Sequence, residues 1–349
     1  METRTDTFTV QQALAKLLGG ESLQRSEARA VMAHVMEGTA TPAQIGSLLT
    51  LLRMKGETSE EITGFAEGMR QAAASVRTER TDLLDTCGTG GDGAHTINIS
   101  TAAAIVAAGG GVRVAKHGNR ASSSKSGSAD VLEALGVTIT LNAEQAARCL
   151  EQIGLCFMFA QVHHQSMKHA AAPRKELGFR TVFNLLGPLT NPAGADRQLL
   201  GVSDRTKTET MASVLRELQV KRALVVAGLD GLDEISLSAP TQVTELRSGN
   251  LRTFEVSPAD LGLAESPISA VRGGDAVENA AIIRRVFAGE AGAYRDIIIA
   301  NSGACFYVTG KAESLREGVE LAASVIDSGR AMAKLDQLIQ VTGELNYVS

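Results

Sequence analysis

From residue 83 onward, short apolar runs alternate with helix-period segments, and glycine-rich loops join the two. The runs lie at 83–87, 112–115, 137–141, 155–160, 199–202 and 223–227. Each reads as a strand, and strands that alternate with helices predict an α/β unit with a largely parallel central sheet flanked by helices. The first 80 residues are different, because they read as helices only. Leu14, Leu17 and Leu18 recur at helical spacing, as do Ala28, Val31, Met32 and Val35. Thr41-Pro42 opens a third helix, with the proline in the first turn where its missing N–H costs nothing. Thr58 followed by Glu61 is a capping box ahead of a fourth, which carries Ile62, Phe65 and Met69. Residues 161–197 break the alternation with a mostly helical stretch holding Pro173, Pro188 and Pro192. That stretch is placed to return to the N-terminal helices and complete a small all-α domain. The expected organisation is residues 1–80 with 161–197 as the helical domain, and 81–160 with 198–349 as the α/β domain. The tail, 277–345, predicts four more amphipathic helices.

Composition narrows the function classes. A chain of 349 residues has room for about two structural units, and 44% apolar against 21% charged residues excludes disorder. A net charge of −5 argues against a surface built throughout for nucleic acid or acidic lipid. Cys87, Cys149, Cys156 and Cys305 show no C-x-x-C spacing and read as reduced core thiols. No signal peptide or run of about 20 apolar residues is legible, so the expectation is a soluble, cytoplasmic protein.

The chemistry concentrates in two loops. The first is Asp85-Thr-Cys-Gly-Thr-Gly-Gly-Asp-Gly93, followed by Asn98-Ile-Ser-Thr101 and a run of alanines. A strand ends at Cys87, a glycine loop follows, and a helix starts near Ser100. Glycines let backbone N–H groups point at an anion, and the helix N-terminus adds partial positive charge. A plain glycine turn with a Ser/Thr cap would look the same in isolation. The second loop, Lys116-His-Gly-Asn-Arg120-Ala-Ser-Ser-Ser-Lys-Ser-Gly-Ser128, follows the next strand and carries three cations. Between 93 and 129, Arg113, Lys116, Arg120 and Lys125 occur without a single Asp or Glu, where the chain average would put about four acids. Two such loops fit a substrate with phosphate at both ends.

Residues 85–101, 116–136, 174–192 and 231–236 together resemble the anthranilate phosphoribosyltransferases, in order and at compatible spacing across almost the whole chain. The resemblance implies a small helical domain hinged to an α/β domain, a homodimer through the helical part, and two magnesium ions per site. It implies transfer of the phosphoribosyl group of phosphoribosyl pyrophosphate to the amine of anthranilate, in tryptophan biosynthesis. Carried over by motif position, Gly88, Gly91, Asp92, Thr96, Asn98, Ile99, Ser100 and Thr101 would hold the phosphoribosyl pyrophosphate. Lys116, His117, Gly118, Asn119, Arg120, Ala121, Ser122, Ser123, Ser124 and Ser128 would complete that site. Gly88, Asn119 and Arg174 would contact anthranilate, and Ser100, Asp233 and Glu234 would bind magnesium.

Displacement at the ribose anomeric carbon passes through an oxocarbenium-like state while pyrophosphate leaves, so charge stabilisation and positioning carry the rate. Asp233-Glu234 suits magnesium, which takes one or two carboxylates plus phosphate oxygens and water. Adjacent residues point to opposite faces of a strand, so this pair must lie in the loop after 223–227 to converge. Arg174 suits a carboxylate because its planar fork matches it bidentately. An aromatic amine is neutral at pH 7, so no general base is demanded and none is assigned.

His163, His164 and His169 lack the spacing of a metal motif, and His34 reads as an exposed helical residue. Gly273-Gly-Asp275 echoes the first loop, but Asp275 with Glu278 reads as a capping box. Gln161 and Gln165 stand where the family often has prolines, and Ala227 where it often has histidine, which bears on the acceptor more than on the donor. Two other readings share the fold. A pyrimidine nucleoside phosphorylase is expected to carry a further C-terminal domain that 349 residues do not accommodate. A nucleic-acid-binding homologue is expected to present a basic groove, against the net charge and the acidic pair.

Overall fold

The computed structural model describes residues 8–121 and 124–347. Four helices come first: α1 (Val10–Leu18), α2 (Arg25–Met36), α3 (Pro42–Lys55) and α4 (Ser59–Ala72). Thr9, Thr41 and Thr58 cap α1, α3 and α4 in capping boxes, so each begins where its sequence offers a partner for the orphan N–H groups. Helices α2 and α4 lie in close contact because Gly64 and Gly68 have no side chain there. A Cβ on Gly64 would overlap the Arg25 carbonyl oxygen.

The chain then alternates: β1 (Leu84–Asp85), α5 (Ile99–Gly109), β2 (Val114–Gly118), α6 (Ser128–Ala134), α7 (Ala143–Ile153) and β3 (Leu155–Phe159). The helical interruption is α8 (Ala160–His163), α9 (Lys168–Leu177) and α10 (Phe183–Leu186). After it come β4 (Arg197–Gly201), α11 (Thr208–Glu217), β5 (Arg222–Gly228), β6 (Thr241–Arg247) and β7 (Asn250–Val256). The tail forms α12 (Ala276–Phe287), α13 (Ala293–Val308), α14 (Leu315–Asp327) and α15 (Arg330–Tyr347), the four helices expected there.

The strands form one seven-stranded sheet in the order β3-β2-β1-β4-β5-β6-β7. The first five are mutually parallel and the last two antiparallel. Period-2 alternation feeds two cores. Leu199, Leu224 and Val226 face a core shared with α5 and α12–α15, whereas Leu200, Ala223, Val225 and Ala227 face one shared with α11 and the N-terminal helices. Ala170, Val182, Phe183, Leu186 and Leu189 of the interrupting segment belong to that second core, where α9 packs on α3 and α10 on α4.

Two sequence expectations are corrected. Residues 137–141 are not a strand. Val137, Ile139 and Leu141 are buried all the same, and the Thr138 N–H donates to Thr342 Oγ1 of α15 at 3.1 Å. The run is apolar because a helix covers it, while β3 takes the place beside β2. His34 is half-buried, with Nδ1 3.0 Å from Thr39 Oγ1, not exposed. The β6–β7 hairpin was not anticipated. Its turn, Ser248-Gly249, has φ of 52° and 78°, the left-handed pair of a tight hairpin, and a Ser-Gly between two alternating runs is the signal that marks it.

Candidate active site

Strand order reverses direction between β1 and β4, since β2 and β3 lie to one side and β5 to the other. In open parallel sheets the crevice beyond the carboxyl ends of the strands at such a reversal is where ligands bind. The first glycine loop leaves β1 into this crevice and touches the end of β4, where the Thr89 N–H donates to the Gly201 carbonyl at 2.9 Å. Gly90, Gly91 and Gly93 have φ of 62°, 78° and 72°, so the loop conformation itself requires glycine.

Asp233 and Glu234 enter from the loop after β5, as convergence demanded. Asp233 Oδ2 accepts from the Gly90 N–H at 2.7 Å and Glu234 Oε1 from the Ser100 N–H at 3.1 Å. Burial, and then the charge of Asp92, pushes Asp233 up to about 7. Burial and the neighbouring Asp233 push Glu234 well above the carboxylate range. Lys116, buried in β2, donates from Nζ to the Thr86 carbonyl at 3.2 Å, to Thr86 Oγ1 at 3.1 Å and to Ser100 Oγ at 3.4 Å. Its hydrogen-bond partners are neutral, and its charge also acts on the buried carboxyls of Asp85 and Glu234, so Lys116 places positive charge between the acidic pair and the mouth of the loop.

The second loop is tied to the first. Asn98 Nδ2 donates to the Ser126 carbonyl at 3.0 Å, Ser126 Oγ to Asn98 Oδ1 at 3.2 Å, and Asn279 Nδ2 to Asn98 Oδ1 at 2.9 Å. Asp85 is the buried anchor, accepting from the His117 N–H at 3.0 Å and from Asn191 Nδ2 at 2.7 Å. Gly118 lies against Ser128 Oγ, which donates to the Asn119 carbonyl at 3.2 Å. Thr96 forms a bridge to Arg272.

Some expected residues offer less than their motif position suggests. Ile99 and Thr101 are buried, so Ile99 has only its backbone to present. The His117 ring turns away, Nδ1 donating to the Gly187 carbonyl at 3.1 Å, and burial followed by His164 pushes it down to about 3, which keeps it neutral. Arg120 is paired with Asp130 at 2.8 Å and Glu133 at 2.9 Å, so acids just beyond the acid-free stretch offset the cationic excess read from the sequence. Ala121 and Ser124 border Ser122 and Ser123, which lie outside the described residues. Arg174, on α9, is half-buried with its guanidinium 5.0 Å from the centre of the Phe183 ring.

Three contributors were missed. Asp85 and Asn191 pin the two loops from below, and Arg180 lies over Gly91. Nothing in the spacing marks Arg180, because it reaches the loop only through the return of the helical segment.

For magnesium, the donors present are two carboxylates and a hydroxyl, all hard oxygens, and no group of three His, Cys, Asp or Glu among the described residues is placed to hold an ion alone. Those facts agree, since magnesium keeps most of its positions for phosphate oxygens and water. The fit is good.

Fold and site together define a transferase in which a helical bundle is joined to an α/β domain. Residues 80–332 match the glycosyl transferase family, a/b domain, and residues 11–73 the glycosyl transferase family, helical bundle domain. Within that class the chain belongs to the anthranilate phosphoribosyltransferase family. It is 55% identical over 337 residues to the anthranilate phosphoribosyltransferase of Brevibacillus brevis, covering 97% of this chain and 99% of that one. The crystal structure of the Thermus thermophilus enzyme superposes with a TM-score of 0.90 at 46% identity, over 95% of this chain and 99% of that one. The Saccharomyces cerevisiae enzyme in complex with PRPP and Mg gives 0.89 at 28% identity, over 96% and 98%.

Proposed function

We propose that this protein transfers the phosphoribosyl group of 5-phosphoribosyl 1-pyrophosphate to the amine of anthranilate, giving N-(5-phosphoribosyl)anthranilate and pyrophosphate in tryptophan biosynthesis. The observation that carries the reading is the meeting of the glycine loop, Lys116 and the Asp233-Glu234 pair at the sheet's switch point, in a chain of this family. The loops around 88–101 and 116–128 hold the donor, largely through backbone N–H groups and Lys116, with Arg120 and the His117 ring contributing less. Arg174 receives the anthranilate carboxylate, with Gly88 and Asn119 bounding the acceptor. Asp233, Glu234 and Ser100 hold two magnesium ions, which lend positive charge to the pyrophosphate oxygens when bound.

In the reaction the donor's C1–oxygen bond breaks with its electron pair on pyrophosphate. The amine lone pair forms the C1–nitrogen bond, and the amine proton passes to water. Lys116 and the loop N–H groups act by holding the donor's phosphates while C1 becomes exposed to the amine. Arg174 fixes the acceptor on a segment that packs with the helical domain, so closing residues 1–80 and 161–197 toward the α/β domain would bring amine and C1 together. Leu18 and Met54 are exposed apolar side chains on α1 and α3, which supports a homodimer through the helical part.

Mixing the protein with anthranilate, magnesium and phosphoribosyl pyrophosphate should extinguish anthranilate fluorescence. Other aminobenzoates serve as controls, and an unchanged signal with anthranilate refutes the assignment.

A further inference from the structure

Arg180 lies in the connection between α9 and α10, six residues beyond Arg174 and outside both substrate loops. Its guanidinium is packed on the glycine loop: Nη2 is 3.5 Å from the Thr89 carbonyl oxygen, and a Cβ on Gly91 would overlap Nη1. The loop is therefore shaped to admit this side chain, and Gly91 is bare on the side the guanidinium occupies. Among the described residues no carboxylate lies within ion-pair distance of Arg180, and the Thr89 carbonyl is its one hydrogen-bond partner.

Two other arginines of this chain are held by acids. Arg25 is held by Glu67 and Glu217, and Arg120 by Asp130 and Glu133. Arg180 borders a cavity of about 170 Å³ that opens beside Thr89 and is also lined by Arg53, Lys207, Asn184 and Ser203, and by the acids Glu57 and Asp204. Lys207 is 3.8 Å from Glu57, whereas Arg180 has no carboxylate within ion-pair distance among the described residues and acts on the buried Asp233 only at longer range. A guanidinium carries five N–H donors in a planar fork that matches phosphate oxygens two at a time. With one long bond to a carbonyl, most of these donors are free, and they sit where a phosphate on the glycine loop would come within reach.

We propose that Arg180 binds the pyrophosphate end of the donor and continues to hold pyrophosphate in the product complex. The proposal rests on the reading that the glycine loop is the pyrophosphate site. Arg174 and Arg180 then grip acceptor and leaving group from one short segment, so that docking this segment engages both partners of the displacement.

Calorimetric titration of inorganic pyrophosphate with magnesium into the full-length protein tests it, beside steady-state KM values for both substrates. R180A should weaken pyrophosphate binding about tenfold or more and raise the donor KM in step, with the anthranilate KM moving less than about twofold. R180K should recover part of the loss, since one point charge replaces a fork. The D233N/E234Q variant separates the two readings. If it loses pyrophosphate while R180A binds as wild type does, the loop reading stands and the Arg180 proposal is overturned. If both variants bind pyrophosphate normally, the loop is not the pyrophosphate site and both fall. An equal rise in both KM values in R180A and R180K would make Arg180 a support of the loop's shape and would also overturn the proposal.

Discussion

Replacing Arg174 by alanine should cripple use of the acceptor while sparing the donor. The guanidinium is half-buried, and burial lowers its pKa, so much of its hydration is already gone before a ligand arrives. It is seated 5.0 Å over Phe183 with no carboxylate partner among the described residues, so no internal ion pair must break for it to receive one. Losing a charge-assisted bidentate pair in such a setting costs roughly 2–4 kcal/mol, about 30- to 1000-fold in kcat/KM for anthranilate. R174K should restore only part of this, because an ammonium cannot reproduce the fork. Stacking over the ring contributes a smaller share, roughly 0.5–1 kcal/mol, so F183L should cost about two- to fivefold. The assay is anthranilate fluorescence decay at varied acceptor and at varied donor, with thermal unfolding to confirm that each variant is folded. Equal losses for donor and acceptor would put Arg174 in the phosphate site or the fold. No loss would make it a helix-surface residue.

The D233A/E234A variant should lose most turnover, above all at limiting magnesium, yet unfold no earlier than wild type, because burial already disfavours both charges; near wild-type rate at limiting magnesium refutes the metal assignment. Gly303 and Gly318 bring α13 and α14 into backbone contact, so G318A should destabilise by about 1–3 kcal/mol, read as a lowered Tm, and an unchanged Tm would show that the helices can part at no cost. Burial pushes the Asp85 carboxyl from 3.8 up to about 6 despite Lys116 and its hydrogen bonds, so the folded protein holds this proton more tightly than the unfolded chain. Relative to D85N, wild-type stability should be highest below about pH 4 and fall by of order 3 kcal/mol as pH rises through 6; chemical denaturation curves that stay parallel across that range would refute it. Burial raises the thiols of Cys87 and Cys149 to about 12 and those of Cys156 and Cys305 upward too, so the native protein should resist alkylation at pH 8, and rapid labelling of all four would contradict the packing.

Local signals determined a good deal. The caps at Thr41, Thr58 and Asp275, the helical period of the tail and the glycine loops are contained in short stretches of chain, because capping, periodicity and left-handed φ depend on neighbours a few residues away. The same short range explains the failures. An apolar run at 137–141 signals burial, and only the position of α15 decides that a helix and not a sheet covers it. The β6–β7 hairpin is half-exposed and polar, so its hydrophobic signal is weak even where its turn is distinctive. At the candidate site, motif positions pick out loops that the fold brings together but not what each side chain contacts there. Arg120 is taken by Asp130 and Glu133, the His117 ring is turned into the interior, and Arg180 arrives from about 90 residues away in the chain. Which charges are paired and which are left for a ligand depends on distances between remote segments. Hydrogen bonds need contact within about 3.5 Å and charge pairs weaken with distance and screening, so only the folded chain sets them.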